Sequence, residues 1–313
     1  MITDLLLHKS HAVTVDIKNG SPRRENICAI VVTYQPDGGF ASRVDHLAGQ
    51  VDLIVIVDNH SGDTSVAMLD LLLANRVNLH LIRNSDNLGV ATALNQGVRW
   101  AKEAGYRWAL LLDQDTTLLE FTVEILIAAY RGFPGKSRLA VIGANYLGTI
   151  QECETSNMSD FTNSWKECVA VITSGSLLSI AGHEAIGPFR DDLFIDHVDH
   201  EYCLRARSKG WKIIMSRQLA IQHVVGVPMM HWPSLKVLNH SPYRHYYMAR
   251  NSVVIARQYF TKEPSWILAA LAREAKAIFL MLLFERDRKA KLMQASRGLW
   301  HGFLGRLGKI EMA

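Results

Sequence analysis

Long unbroken hydrophobic stretches are missing from this sequence of 313 residues. The most apolar segment, 266–284, carries Arg273, Glu274 and Lys276 near its middle. A membrane-crossing helix needs about 20 apolar residues with few or no charges, so this reading excludes a transmembrane span. The first residues, MITDLLLHKS, offer only a short leucine run behind an Asp. They lack the apolar length and the small-residue cleavage site of a signal peptide. Cysteine is scarce: Cys28, Cys153, Cys168 and Cys203 are the only four. None of their spacings is that of a metal knuckle or a C-x-x-C redox pair. Cys28 and Cys203 are predicted to be buried free thiols in a reducing compartment. Gly 21 and Pro 8 are ordinary counts, which removes collagen-like and low-complexity readings. No repeat of fixed period is present, so solenoids and propellers are excluded.

What is present is core material. Hydrophobic residues make up 49% and charged residues 20%, which excludes intrinsic disorder and suits one large α/β domain or two smaller ones. The formal net charge of +4 is unevenly placed. Residues 285–313 hold seven Lys and Arg against three Asp and Glu, and the preceding 284 residues balance. A basic tail favours a local anionic partner, such as a membrane surface, over a protein coated for nucleic acid.

Residues 1–26 are polar without sustained period and read as a flexible leader. Apolar runs at 27–34 (ICAIVVTY), 53–58 (LIVIVD), 79–83 (LHLIR) and 108–113 (WALLLD) predict four strands. Helical patterns at 41–49, 63–75 and 89–104 lie between them, with Gly105 as a C-cap. Near-continuous apolar strands alternating with helices predict a parallel sheet covered on both faces. Ligands collect at the C-terminal strand ends of such sheets. Thr33 and Tyr34 end the first strand, Asp58, Asn59 and Ser61 the second, and Asp113, Gln114 and Asp115 the fourth. Each alone fits a turn-capping role; their coincidence at one sheet edge points to a site. Two carboxylates separated by one residue just beyond a strand can face a divalent cation and a nucleotide together. The competing reading makes Asp115 the N-cap of a helix over 116–130.

The runs ICAIVVTYQPDG, IVIVDNHSGD, RNSDNLGVATALNQGVRWA and ALLLDQDT together resemble glycosyltransferase family 2 on the GT-A fold. The later runs LFIDHVDHEYCLRARSKGWKI and SPYRHYYMARN are similar to the bacterial rhamnosyltransferase branch, and the resemblance covers about residues 27–260. It implies a Rossmann-like nucleotide-sugar half and an acceptor half in a catalytic domain over 27–262, followed by an amphipathic, basic helical segment over 263–313. It implies that Thr33, Tyr34 and Asp58 contact the nucleobase, with Asn59 supporting that loop. Asn87, where a helix opens, would lie over the nucleotide; Gly89 has close packing as its alternative role. Asp113 would approach the ribose, and Asp115 would hold a divalent metal, Mg²⁺ or Mn²⁺. His223, which follows Asp199 by 24 residues, would complete the metal site, with His231 as its competitor.

Residues 197–209 have helical spacing, with Val198, Tyr202, Cys203 and Ala206 facing inward and Gly210 ending the helix. Asp191, Asp192, Asp196, Asp199 and Glu201 cluster at its start, which a carboxylate–dipole interaction would also explain. The resemblance makes Asp199 the general base, since an acceptor hydroxyl must lose its proton as it attacks the anomeric carbon. Glu201 would hold the acceptor or orient the base, and Asp196 would touch substrate. Arg244 and Arg250 are candidates for the leaving diphosphate, with a solvated helix face as the alternative. Ser174-Gly175, after a strand predicted over 169–173, is either a substrate approach or a plain turn. Another predicted strand covers 212–216.

The resemblance thus implies an inverting glycosyltransferase, with dTDP-L-rhamnose as donor and a saccharide or lipid-linked saccharide of a surface polysaccharide as acceptor. A UDP-hexose donor and an inactive nucleotide-binding scaffold remain as alternatives. In the last segment, Ile267, Leu268, Leu271, Ile278, Phe279 and Leu282 share one helical face. Such a helix beside a basic tail can lie on a membrane, here the inner face of the cell membrane of a cytoplasmic protein. The alternative is packing on the catalytic domain or on the second copy of a homodimer.

Overall fold

A computed structural model of the chain describes residues 20–146, 164–223, 228–232 and 235–311. The predicted leader lies outside them up to residue 19, as does Cys153. The four predicted strands form as β1 (Ile27–Thr33), β2 (Leu53–Asp58), β3 (Leu79–Arg83) and β4 (Trp108–Asp113). They stand side by side in the order β3-β2-β1-β4, all parallel. Between them run α1 (Phe40–Ala48), α2 (Asp63–Ala74) and α3 (Val90–Glu103). Side chains of a strand alternate between faces. Ile27, Ala29 and Val31 of β1 meet α1 and α2 in one core layer, and Cys28, Ile30 and Val32 meet α3 in the other. Cys28 and Cys203 are buried free thiols, and burial pushes both up to about 12.

The structure corrects the sequence reading after Asp115. Thr116–Leu118 is a strand, β5, and the helix α4 begins only at Thr122 and runs to Gly132. Asp115 is therefore not a helix cap. The strand predicted over 169–173 is also absent. Its place is taken by β7 (Trp165–Glu167) and β8 (Ser176–Ser179), which flank it and follow β6 (Leu139–Tyr146). The strand predicted over 212–216 extends further, as β9 (Lys212–His223). These strands complete a mixed sheet of nine strands, continuing β4-β8-β6-β9-β5 with β7 paired to β9. β8 is antiparallel to β4 and β6, and β5 is antiparallel to β9. The expected parallel sheet holds for its first half only.

Helix α5 (Ile180–Ile186) leads to α6 (Val198–Ser208), stopped as expected by Gly210 at φ +79°. The hairpin β10 (Pro228–Trp232) and β11 (Leu235–Leu238) precedes three helices, α7 (Pro242–Tyr259), α8 (Pro264–Phe284) and α9 (Arg288–Leu304). The final segment docks on α7. A Cβ added at Gly298 of α9 would lie 2.2 Å from Tyr246 O, and one at Gly302 would lie 2.5 Å from Arg250 O. Only glycine admits this approach of α9 to α7. The segment after α9 then reaches the first half, where Lys309 Nζ bonds Asp86 Oδ2 at 2.6 Å, and Ile310 N donates to Tyr247 Oη of α7 at 2.9 Å. No helix among the described residues is long and apolar enough to cross a membrane.

Candidate active site

Strand register fixes the floor of the site. Thr33 pairs with Asp58 across β1 and β2, and Val32 pairs with Asp113 across β1 and β4. The polar ends of three parallel strands therefore reach one edge, the position that a parallel sheet reserves for ligands. A cleft of about 560 Å³ opens there. Its walls include Thr33, Tyr34, Asn59, Asn87, Asp113 and Asp115 from the first half. Asp196, Asp199 and Arg244 come from the second half. A second hollow of about 510 Å³ between α7 and α9 is lined by Val253, Leu299, Trp300 and Phe303 with Ser296, and carries none of these groups.

Asp58 is not on the cleft wall. Its carboxylate is buried, accepting from Thr33 Oγ1 at 2.9 Å and from Ser61 N at 3.0 Å. It fixes the two loops that flank the cleft, where the sequence reading had it touching the nucleobase. The Asn59 side chain ties the end of β2 to the turn before α3. Its Nδ2 donates to Gly89 O at 3.0 Å, and its Oδ1 accepts from Leu88 N at 3.1 Å. Gly89 lines the cleft and is also packed close. It sits at φ +87°, and a Cβ there would lie 2.6 Å from Phe194 O.

Asp113 is half-buried and Asp115 is exposed. Ser174 braces this loop from behind: its Oγ accepts from Asp113 N at 3.3 Å and hydrogen-bonds Thr116 Oγ1. Burial first, then the charges of Asp115 and Asp199, push Asp113 up to about 7, against the opposing pull of Arg244. The cleft thus holds more negative charge than its arginine offsets. Carboxylate oxygens under such repulsion suit Mg²⁺ or Mn²⁺. Among the described residues no three His, Cys, Asp or Glu side chains converge as a complete metal site. The side chains of His223 and His231 lie outside the described residues. The backbone of His223 is opposite Thr116 in the β5–β9 register, one residue from Asp115.

The other wall comes from the turn before α6. Asp196 and His197 both take positive φ, +62° and +61°. Asp196 Oδ1 accepts Arg244 Nε at 3.1 Å and its second guanidinium nitrogen at 3.0 Å. Asp199 Oδ1 accepts from His200 N at 2.7 Å, and its carboxyl lines the cleft. His197 and His200 join through their Nδ1 atoms at 3.2 Å. Burial and then His200 lower His197 to about 4, so it is neutral at ordinary pH.

Two expected site residues are elsewhere. Glu201 is fully buried away from the cleft, accepting Arg205 Nε at 3.1 Å and Tyr259 Oη at 2.8 Å. Two residues turn a helix by about 200°, so Glu201 and Asp199 face nearly opposite ways on α6. Arg250 is fully buried too, neither on the cleft nor on a solvated face. It donates to Leu193 O at 2.8 Å and Gly308 O at 2.6 Å, with its guanidinium 4.7 Å from the Tyr247 ring centre. It is six residues from Arg244 on α7, a rotation of about 240°. Among the wall residues to which the sequence reading gave no role are Gln114, His197, His200 and Glu274. Gln114 lay inside the recognised D-x-D, but its reach across to Tyr34 has no local signal. Glu274 comes from α8, far along the chain.

Residues 28–135 match the family model described as Glycosyl transferase family 2. Over 247 residues the chain is 27% identical to the dTDP-rhamnosyl transferase RfbF of Shigella flexneri, covering 74% of this chain and 80% of that one. In structure it is similar to the mannosyltransferase PcManGT from Pyrobaculum calidifontis, solved with GDP-Man and Mn²⁺. The TM-score is 0.55 at 16% identity, over 91% of this chain and 87% of that one. It is also similar to S. aureus TarS, with a TM-score of 0.54 at 16% identity over 88% of this chain, which spans 49% of TarS. The region that matches the family model runs from β1 through α4, and the fold around it is the GT-A fold of these glycosyltransferase structures.

Proposed function

We propose that the protein is a metal-dependent inverting glycosyltransferase that moves L-rhamnose from dTDP-L-rhamnose to a saccharide acceptor in surface-polysaccharide synthesis. The observation that carries this reading is the meeting, in one cleft, of Asp113 and Asp115 from the strand edge with Asp199 from α6. The rhamnosyl donor draws its support from the 27% identical relative.

In this reading Thr33, Tyr34 and Asn87 hold the nucleoside from the strand-end loops, and Asp113 takes the ribose. Asp115 and His223 would hold a divalent ion. When bound, such an ion neutralises developing charge on a diphosphate. Arg244, whose charge already acts on Asp113, serves the leaving diphosphate. Asp199 accepts the proton of the acceptor hydroxyl as its oxygen bonds the anomeric carbon and the bond to the diphosphate breaks. A single displacement of this kind inverts the anomeric centre. The exposed Phe279, Trp300 and Phe303 of α8 and α9, beside the basic tail, support peripheral attachment to an anionic membrane at its cytoplasmic face.

The test is hydrolysis of a nucleotide-sugar panel with Mg²⁺ or Mn²⁺. The expected result is metal-dependent turnover that is fastest with dTDP-L-rhamnose. Preference for a UDP-hexose would reassign the donor. Nucleotide binding without turnover on any donor would favour an inert scaffold.

A further inference from the structure

Glu274 is the one residue beyond α7 that reaches the cleft wall, among the described residues. The charge that acts on it is Asp196, not Asp113 or Asp115. It therefore belongs to the Asp196–His200 side of the cleft, away from the acids at the strand edge. Nothing basic answers it among the described residues. Its neighbour Arg273 lies over the Trp266 ring at 5.8 Å, and Arg244 is engaged with Asp196. Among the described residues Glu274 has no ion pair or hydrogen bond. Asp196 is in a similar condition: both contacts of Arg244 fall on Oδ1, and Oδ2 is buried with no partner.

An unpaired buried polar group costs about 1–3 kcal/mol. Glu274, half-buried and unpaired on the cleft wall, is open to a ligand that supplies the missing hydrogen bonds. A cation is a poor fit, since no third ligand converges with Glu274 and Asp196 among the described residues. A row of hydroxyls is a good fit. Burial and the Asp196 charge push Glu274 up to about 7, so near neutrality it is present in both forms. The protonated form donates to a hydroxyl oxygen and the ionised form accepts a hydroxyl proton. The general-base candidate Asp199 lines the same cleft.

We propose that Glu274 is a specificity-determining contact for the acceptor, binding a hydroxyl of an acceptor sugar ring. This rests on the transferase reading of the cleft. It makes the C-terminal segment, through α8, part of acceptor selection.

The full-length protein, Glu274→Ala and Glu274→Gln would be compared with saturating dTDP-L-rhamnose and Mn²⁺. The acceptor probes are methyl glycosides of L-rhamnose, D-glucose, D-galactose and N-acetyl-D-glucosamine. The wild type is expected to release nucleotide faster with at least one glycoside. Glu274→Ala should raise the KM for that glycoside about tenfold or more, with smaller changes in kcat and in donor affinity by calorimetry. Glu274→Gln, which keeps hydrogen-bonding capacity, should recover part of the loss. An unchanged glycoside KM in Glu274→Ala overturns the proposal. So does an equal loss of donor affinity, or a wild type that turns over donor but responds to none of the glycosides. Absence of any nucleotide-sugar binding by the wild type would instead sink the transferase reading beneath it.

Discussion

The side-chain amide of Gln114 grips the backbone of Tyr34 through two hydrogen bonds, accepting from its N–H at 2.7 Å and donating to its carbonyl at 3.1 Å. The middle residue of the Asp-Gln-Asp run thereby ties the loop after β4 to the loop after β1. Arg43 Nε adds a bond to Gln114 O at 2.7 Å. Each net hydrogen bond contributes roughly 0.5–1.5 kcal/mol. Gln114→Leu is expected to weaken nucleotide binding about tenfold or more by freeing the Tyr34 loop, with an unfolding midpoint close to that of the wild type. Calorimetric titration with dTDP and a thermal melt on one preparation check both halves.

The two cleft carboxylates should fail in different ways. Asp115→Ala is expected to abolish metal-dependent nucleotide binding and turnover together, with the fold intact. Asp199→Asn should keep donor affinity and lower kcat by at least about 10²-fold, the low end for loss of a general base. Full activity in EDTA would contradict the first expectation. Equal losses of donor affinity and rate in Asp199→Asn would mark that residue as a binding group.

Arg244 and Arg250 share one sequence motif and should separate cleanly. Arg250→Met leaves the Gly308 carbonyl without its donor and removes one of the donors to Leu193 O. A buried acceptor left unsatisfied costs about 1–3 kcal/mol, and the loss should appear in urea unfolding. Arg244→Ala, on the half-exposed cleft wall, should leave the unfolding midpoint nearly unmoved and lower the turnover number.

These contrasts show what was legible in the sequence. β1 to β4 were readable because each is a continuous apolar run between turn residues, and their polar ends fell on one edge. The strand Thr116–Leu118 was not readable, because it exists through pairing with β9 about a hundred residues on. Pairing at that distance overrode the helical pattern of the segment. Helical rotation alone could have separated Arg250 from Arg244 and Glu201 from Asp199. Glu274 gave no local signal: it was one charge off an apolar stripe until α8 brought it beside Asp196.

Acid should destabilise the fold through buried histidine. His183 is buried against Phe189 and Tyr202, and its Nε2 has no partner. Burial, then Arg205, lowers it from 6.5 to about 4, with Glu184 opposing. Above pH 6.5 neither the folded nor the unfolded chain binds this proton, so stability is unaffected. Below 6.5 the unfolded chain takes it up and the folded one does not until about pH 4. Stability is therefore lost across that window, by about 3 kcal/mol for this residue at 1.36 kcal/mol per pKa unit. His183→Leu should remove that share of the slope. His197 and His240, also lowered to about 4, should keep the remainder. Urea midpoints from pH 7.5 to 4.5 measure the difference, and parallel curves for the two proteins would rule it out.

The last prediction concerns the outer surface of α8 and α9. Phe279, Trp300 and Phe303 are 60%, 60% and 65% exposed, and Trp300 stacks on Phe303 with ring centres 6.4 Å apart. Not all of the tail's basic residues face outward. Lys291 is buried against Glu285 at 2.7 Å, and Lys309 is tied to Asp86. The outward charge rests on Arg286, Arg288, Lys289, Arg297 and Arg306, all exposed. Near an anionic bilayer each contributes about 1 kcal/mol, fading within a Debye length of about 8 Å at physiological salt. Charge alone would thus hold the protein weakly, and insertion of the exposed aromatic residues must add to it. The full chain is expected to cosediment with phosphatidylserine-containing vesicles at low salt and to be partly released at high salt. Trp300→Glu with Phe303→Glu should abolish cosedimentation without unfolding the protein, because neither side chain is in the core. Deleting the tail would be a poor test, since α9 is fitted to α7 through Gly298 and Gly302 and its loss exposes that surface. If the double variant sediments as well as the wild type, or the wild type ignores the vesicles at low salt, the membrane assignment fails.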